Sequence, residues 1–347
     1  MGLMFLEIEI LDYRGSDWKC SKSIEALPPE LSVWSFKKVG VESELTLDLG
    51  LHVKKVKGVY HLSLYCPFWM VNKTGYDLTY KRSSRGEADE ERDKVQTEGN
   101  QQTDSLVHSI EHKKNSSDVV LFSFRSKSFF GKKKANIRVQ DSDWSEKFPL
   151  DTVATAAAVT CKSIQNKDLL YQVSIDIQLS GSGLTKIVTF SPFYKVINRC
   201  SYDLQYCLED DNTGIWDEIT AGECVSVWPP GATKALKVRV SGTKERTEPI
   251  HFDAPHTTLF KLRNKFGGVF VEVSQTEGGT LISVDKCLEG ASSALVLNHL
   301  KTSSLALWQE GHEDKKTELG PQQMAHFTWD SAESRRLLMF SCFGGSP

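Results

Sequence analysis

Three asparagines, Asn72, Asn198 and Asn298, each end an apolar run and precede a polar turn. Asparagine is disfavoured inside strands because its side-chain amide competes for backbone hydrogen bonds. The amide has two donor hydrogens and one acceptor oxygen, so it can hold a turn together from both sides. Two interpretations remain open: the amide fixes the turn, or it holds the backbone of an incoming peptide at the rim of a groove.

The three asparagines mark an internal repeat. Asn198 lies 126 residues after Asn72, and Asn298 lies 100 residues after Asn198. Each is followed by a turn and a second apolar strand, and tryptophans follow the second and third asparagines after 30 and 31 residues. The spacing predicts repeated modules of about 100 residues.

Short alternating runs rich in Val, Ile, Thr and Phe recur along the whole chain, separated by Gly, Ser, Asn and Asp. They predict an all-β fold, a tandem array of antiparallel β-sandwich modules of about 100 residues each. The predicted boundaries are 1–65 for the C-terminal part of one module, 66–190 and 191–293 for two whole modules, and 294–347 for the N-terminal part of a further module.

The segment 81–118 departs from this pattern, because it is dense in charged and polar residues and poor in aromatic ones. Such a composition buries too little apolar surface to offset the entropy of ordering, so a disordered charged insertion is predicted. Within it, 103–112 is the only stretch that favours a helix, and that helix would be short.

Composition excludes several classes of protein. The formal charge of the 347 residues is −3, which disfavours nucleic acid as a partner. No apolar run approaches the roughly 20 residues of a membrane span, and acidic residues interrupt the apolar start, so the chain is predicted to be cytoplasmic. The eight cysteines form no C-x-x-C pair and favour reduced thiols over a disulfide framework.

No cofactor, metal or catalytic activity is predicted. The sequence has no phosphate loop, nucleophile elbow or G-x-G-x-x-G motif. His108 and His112 have helical spacing but no neighbouring cysteines, which argues against zinc. Lys132, Lys133 and Lys134 are candidates for contact with anionic lipid, although a solvated strand entry explains them as well.

Several segments resemble the vacuolar protein sorting-associated protein 13 family, in the order found there. They are Tyr65–Gly75 (YCPFWMVNKTG), Val120–Phe124 (VLFSF), Val188–Tyr194 (VTFSPFY), Phe327–Asp330 (FTWD) and Ser334–Leu337 (SRRL). The resemblance implies the adaptor-binding domain (of the SHORT-ROOT-binding type), an array of six sandwich modules with one asparagine each. Asn72, Asn198 and Asn298 would be three of the six, and the last module would be cut short after Phe343.

The resemblance also implies a function. Proteins of this family carry lipids between organelles, and the domain recruits them by binding proline-containing motifs of membrane adaptors, which places the chain peripherally at contact sites. Besides Asn72 and Asn198, the candidates for peptide binding are Leu297, Asn298, Leu305, Leu307 and Trp308. The alternatives are a structural spacer array and a module that binds the membrane surface directly.

Overall fold

The computed structural model describes residues 4–25, 27–40, 46–83, 109–114, 118–153, 156–209, 214–262, 264–288, 292–331 and 334–343. These ranges contain 28 strands and two 3-10 turns, η1 (Ser126–Ser128) and η2 (Glu313–Lys315). The prediction of an all-β fold is confirmed. The chain divides into two compact units, unit 1 (Met1–Gln165 and Tyr171–Ser191) and unit 2 (Asn166–Leu170 and Pro192–Pro347).

Unit 1 begins with an antiparallel meander of five strands that pair in chain order. The strands are β1 (Met4–Ile10), β2 (Trp18–Ile24), β3 (Leu31–Lys38), β4 (Thr46–Val56) and β5 (Val59–Tyr65). In β4, Leu47, Leu49, Leu51 and Val53 recur at every second position and pack into one apolar core, as side chains on the same face of a strand do. Gly50 lies against the ring of Tyr65, and a Cβ there would displace that ring.

The rest of unit 1 consists of two sheets with the strand orders β12-β13-β14-β6-β9 and β11-β10-β7-β8. The strands are β6 (Phe68–Asn72), β7 (Leu78–Ser83), β8 (Ser109–His112), β9 (Val120–Phe122), β10 (Lys134–Val139), β11 (Phe148–Pro149), β12 (Ala157–Lys162), β13 (Leu170–Leu179) and β14 (Lys186–Pro192). Both sheets bury aromatic side chains. Tyr80 of one sheet packs against Phe122 and Phe190 of the other, with ring centroids 6.2 and 5.2 Å apart.

The two ends of the predicted insertion 81–118 are strands. β7 extends to Ser83, and Ser109–His112 form β8, which pairs antiparallel with β7 so that Tyr80 lies opposite Ile110. The prediction of a helix over 103–112 is therefore wrong at 109–112, because pairing with a strand distant in sequence determines the local structure there. Residues 84–108 and 115–117 lie outside the described residues.

Unit 2 repeats the two-sheet arrangement, with the strand orders β18-β15-β23-β22-β21 and β17-β16-β19-β20. The strands are β15 (Tyr194–Asn198), β16 (Leu204–Leu208), β17 (Asp217–Ile219), β18 (Cys224–Val227), β19 (Ala235–Val240), β20 (Ile250–His251), β21 (His256–Lys261), β22 (Gly268–Thr276) and β23 (Gly279–Lys286). One apolar core takes side chains from both sheets, among them Val196 and Val271 from the first and Leu204 and Val238 from the second. The two sheets therefore form a sandwich.

The end of unit 2 repeats the first five strands of this pattern. Its sheets have the orders β24-β27 and β26-β25-β28. The strands are β24 (Ala294–Leu297), β25 (Ser304–Gln309), β26 (Thr317–Leu319), β27 (Met324–Phe327) and β28 (Leu338–Phe343). In strand pairing, β24 is thus the equivalent of β6 and β15, and β25 is the equivalent of β7 and β16.

Two strand pairs depart from the predicted antiparallel pairing. β6 runs parallel to β14, and β15 runs parallel to β23. In both pairs the strands are the first and last of one repeat, so no tight hairpin forces them into opposite directions. The module boundaries at residues 66, 191 and 294 stay predictions.

Candidate functional site

Asn198 closes a corner at the end of β15. Its Oδ1 accepts a hydrogen bond from the backbone N–H of Cys200 at 2.9 Å, which makes the turn after the strand. Its Nδ2 donates to the carbonyl of Tyr202 at 2.9 Å and to that of Ile219, the last residue of β17, at 3.0 Å. The side chain of Asn198 is 0% exposed, and it connects the turn after β15 to the end of β17.

Asn72 occupies the equivalent corner of unit 1. Its Oδ1 accepts from the backbone N–H of Thr74 at 3.0 Å and from the Thr74 hydroxyl at 2.7 Å. Its Nδ2 donates to the carbonyl of Tyr76 at 2.8 Å and, more weakly, to that of His112 at 3.4 Å. His112 ends β8 as Ile219 ends β17, so the two networks match strand for strand.

Asn298 closes the third corner in the same way. Its Oδ1 accepts from the backbone N–H of Leu300 at 3.0 Å. Its Nδ2 donates to the carbonyl of Ser303 at 2.9 Å and to those of Leu319, the last residue of β26, and Gly320 at 3.1 and 2.9 Å. Asn298 is 2% exposed, so its amide is almost wholly enclosed.

The geometry at the three corners favours the structural interpretation of the asparagines. Both Asn198 and Asn298 are buried, and each donates its amide hydrogens to carbonyls of its own repeat. A peptide backbone could engage these amides only by displacing bonds that the fold already uses. A role for the asparagines in peptide binding stays a prediction, and it would act through the shape of the surrounding turn.

The remaining candidates for peptide binding differ in their exposure. Leu297 on β24 is 50% exposed. On β25, Leu305 is half-buried, whereas Leu307 and Trp308 are buried. The Lys316 ammonium lies 4.4 Å from the ring centroid of Trp308. Leu297 is therefore the most exposed of these four side chains, and a role of the four in peptide binding stays a prediction.

The predicted basic patch at Lys132, Lys133 and Lys134 is interrupted. Lys132 and Lys134 are exposed, but Lys133 is buried. Its Nζ donates to the carbonyl of Phe130 at 2.7 Å and lies 5.2 Å from the ring centroid of Phe124, and burial lowers its pKa. Lys133 is therefore the least accessible of the three lysines, and contact of this patch with lipid stays a prediction.

A groove in unit 2 that the sequence did not predict runs along β21. Its volume is about 370 Å³, and a second cavity of about 270 Å³ adjoins it, so that Thr258, Leu259 and Trp329 line both. We call the two cavities together the edge groove. The residues that line it are Glu245, Arg246, Glu248, Thr257, Thr258, Leu259, Phe260, Lys261, Phe270, Ser292, Ser293, Lys315, Trp329, Asp330 and Arg336.

Strand β21 forms one wall of the edge groove. It is the outermost strand of its sheet, so among the described residues its outer backbone groups have no ladder partner. Two polar contacts connect this wall to the opposite one. Lys261 Nζ lies 3.3 Å from Asp330 Oδ1, and Arg336 Nη2 donates to Thr258 Oγ1 at 2.8 Å.

Gln309 positions the opposite wall. It is 0% exposed, and its Oε1 accepts from the backbone N–H groups of Asp330 and Ser331 at 2.7 and 2.9 Å. Its Nε2 donates to the carbonyl of Ser331 at 2.8 Å. These bonds fix the loop between β27 and β28, which bears Trp329. The ring of Trp329 packs edge-on against Phe327, with 5.2 Å between the ring centroids. In the sequence, the FTWD segment (Phe327–Asp330) was the feature that could have indicated this wall.

The charges of the edge groove are mixed. Three lining residues contribute negative charge (Glu245, Glu248 and Asp330), and four contribute positive charge (Arg246, Lys261, Lys315 and Arg336). No large field of one sign favours a highly charged ligand. The outer edge of a sheet, an indole ring and mixed charges suit an extended peptide of low net charge.

The fold and the edge groove define a class of protein, a tandem array of β-sandwich repeats with a groove beside the outermost strand of a sheet. The family described as "Vacuolar-sorting associated protein 13, adaptor binding domain" matches residues 7–343, and the chain belongs to this family. Among the residues that the structure describes, no helix combines the length and apolar character needed to cross a bilayer.

Curated relatives match almost the whole chain. It is 28% identical over 338 residues to the Intermembrane lipid transfer protein VPS13A of Mus musculus, covering 97% of the chain and 10% of that relative. It is 29% identical over 338 residues to the Intermembrane lipid transfer protein VPS13C of Homo sapiens, covering 96% and 8%. The chain thus spans a tenth or less of the length of these relatives.

Proposed function

We propose that this chain is a non-catalytic adaptor-docking region of a bridge-like lipid-transfer protein. It binds proline-containing peptide motifs of membrane adaptors on the cytoplasmic side and so recruits the lipid-transfer protein to organelle contact sites. Membership of the adaptor-binding family supports the docking role. The observation that carries the proposal is the edge groove, where the outer edge of β21 faces the loop that bears Trp329.

The outer edge of β21 supplies affinity through the backbone. An extended peptide that lies along an edge strand exchanges N–H and C=O bonds with it, and its alternate side chains enter the adjoining pockets. β21 is six residues long, from His256 to Lys261, which is enough for a short linear motif. The half-buried Trp329 provides an apolar surface for a side chain of such a motif.

Proline suits this geometry for a physical reason. In an extended chain the N–H groups of residues i and i+2 point to the same side. Two prolines separated by one residue can therefore both place their missing donors away from β21, while the residue between them pairs with its edge. Proline rings stack well on aromatic side chains, and the indole of Trp329 lines both cavities of the groove.

The proposal is tested with fluorescent peptides that contain P-x-P and with matched peptides that contain A-x-A. Trp329→Ala should weaken binding of the P-x-P peptide by about 30-fold, the usual loss when a central tryptophan of an interface is truncated. The control is Trp144→Ala, which removes a tryptophan of unit 1 that is 36% exposed, and it should leave Kd within about twofold.

Foldedness of both variants is checked by their thermal unfolding. Unchanged binding by a folded Trp329→Ala variant would remove the edge groove from the proposal. Equal binding of the P-x-P and A-x-A peptides would remove the role of proline.

A second candidate function, a structural spacer array, is favoured by the closed hydrogen-bond networks of the asparagines. In a spacer these side chains only stabilise the repeats, and no peptide binds. The same titration separates the two functions, because a spacer shows no saturable binding of the P-x-P peptide at any protein concentration below aggregation.

A further inference from the structure

The hairpin of β4 and β5 projects beyond its sheet. The neighbouring strand β3 begins at Leu31, which pairs with His52 of β4. Beyond that point Lys54–His61 have ladder partners only within the hairpin, with Lys54 opposite His61, Lys55 opposite Tyr60 and Val56 opposite Val59. We call Lys54–His61 the hairpin tip. Four residues on each side of an antiparallel hairpin extend it by roughly 13 Å.

The turn of the hairpin tip fixes its register. Lys57 and Gly58 occupy the two central positions with φ of +48° and +85°. Positive φ at both positions is the type I′ geometry, whose twist matches that of the flanking strands. The tip is therefore a defined hairpin, and the positions of its side chains follow from the pairing.

The charge of the hairpin tip is entirely positive. From His52 to Leu62 the sequence is HVKKVKGVYHL, with three lysines, two histidines and no carboxylate. Glu30 lies at the base of the hairpin, with its Oε1 3.6 Å from His52 Nε2. All three lysines are exposed, so nothing among the described residues neutralises them inside the fold.

Apolar side chains lie exposed among these lysines, on both faces of the hairpin tip. Val59 is 61% exposed and shares one face with Val56, whereas Tyr60 lies exposed on the opposite face. The Lys55 ammonium lies over the Tyr60 ring, 5.2 Å from its centroid, in a cation–π contact at the surface. Tyrosines are enriched at membrane–water interfaces, and lysines are enriched beside them on the cytoplasmic side.

We propose that the hairpin tip inserts into the headgroup region of an anionic bilayer. A protein partner would cover one face of a hairpin, but this tip exposes valines on one face and a tyrosine on the other, which suits a medium that surrounds it. A depth of about 5–10 Å, as for other interfacial segments, would bury Val56, Val59 and Tyr60 and leave the lysines beside lipid phosphates. This site is separate from the edge groove, so membrane contact and adaptor docking can be tested independently.

The test is flotation of the 347-residue chain with phosphatidylcholine vesicles, alone or with about 30% phosphatidylserine. Binding should require phosphatidylserine and should weaken when salt rises from about 0.1 M to about 0.5 M. The triple variant Lys54→Gln/Lys55→Gln/Lys57→Gln should lower the partition coefficient about 100-fold, since each basic residue near such a surface contributes a factor of about five.

A matched control removes three exposed lysines elsewhere in unit 1, in the variant Lys127→Gln/Lys132→Gln/Lys134→Gln. It should change the partition coefficient by less than about threefold, because these side chains lie outside the hairpin tip. Val56→Ser/Val59→Ser should weaken binding while preserving its salt dependence. All substituted side chains are exposed, so thermal unfolding should be unchanged.

Equal losses of vesicle binding in the two lysine variants would show that the vesicles attract the net charge of the chain alone, and would overturn the proposal. So would a failure of the unmodified chain to float with anionic vesicles, or equal binding to pure phosphatidylcholine. A valine variant that binds as tightly as the unmodified chain would overturn insertion of the tip. Loss of P-x-P peptide binding through Trp329→Ala leaves flotation unaffected, so failure of the docking function and failure of this proposal are distinguishable.

Discussion

Replacement of Asn198 by alanine tests the structural role assigned to the asparagine corners. The substitution removes an acceptor for the N–H of Cys200 and the donors for the carbonyls of Tyr202 and Ile219. Because Asn198 is fully buried, water does not readily replace these partners. The backbone groups that it served are left unsatisfied inside unit 2.

The size of the effect follows from the number of lost bonds. A net hydrogen bond contributes about 1 kcal/mol, and a buried polar group without a partner costs about 1–3 kcal/mol. Three bonds at one buried corner give a loss of about 3–5 kcal/mol in the free energy of unfolding of unit 2. For a unit of this size that corresponds to a decrease in Tm of about 6–20 °C.

The assay is chemical or thermal unfolding followed by near-ultraviolet circular dichroism. Asn166→Ala is the control, since Asn166 is exposed and forms an equivalent turn bond to the N–H of Asp168 at 3.1 Å. It should cost less than about 1 kcal/mol. The loss of stability in Asn72→Ala should fall between the losses in Asn198→Ala and Asn166→Ala. Asn72 is only half-buried, and its hydrogen bond to the carbonyl of His112 is long at 3.4 Å. Equal, small losses in Asn198→Ala and Asn166→Ala would refute the reasoning.

Two further predictions concern titratable groups. Burial lowers the pKa of His112, so on acidification the unfolded chain takes up a proton at this residue before the folded chain does, beginning near pH 6.5. The stability contributed by neutral His112 is therefore fully present above that pH and decreases as the pH falls. The Tm of His112→Gln should therefore depend less on pH between about 7.5 and 5 than the Tm of the unmodified chain, and parallel curves would contradict this. Burial raises the pKa of Cys66 to about 12 and that of Cys161 to about 11. A thiol reagent should accordingly modify the exposed Cys224 and Cys342 first, and labelling of Cys66 at the same rate under native conditions would show that the core opens.

Much of the fold could be predicted from the sequence because its signals are local. Alternation such as Val-Ser-Ile-Asp-Ile in β13 specifies a strand with one buried face, and the recurrence of asparagine specifies that the arrangement repeats. The strand at Ser109–His112 could not be predicted in this way. Four residues carry too short a pattern, and β8 forms because β7, distant in sequence, provides its hydrogen-bond partners.

The candidate site was harder to predict, because exposure depends on tertiary packing. Lys132, Lys133 and Lys134 are identical residues in a row, yet the middle one is buried against Phe124 and the outer two are exposed. Leu307 and Leu297 are both leucines on apolar strands, and only the second is exposed. The face that a strand turns to the core is set by the sheet that packs on it.

By itself the sequence determined the class of the fold, its periodicity and the residues that mark each repeat, because period-two patterns and turn chemistry depend on neighbours along the chain. Only the tertiary structure decided the bonds of each asparagine, the place of β21 at the edge of a sheet and the projection of the β4–β5 hairpin. These features depend on pairing between strands distant in sequence, which fixes where the chain leaves a backbone edge or a side chain open to a partner.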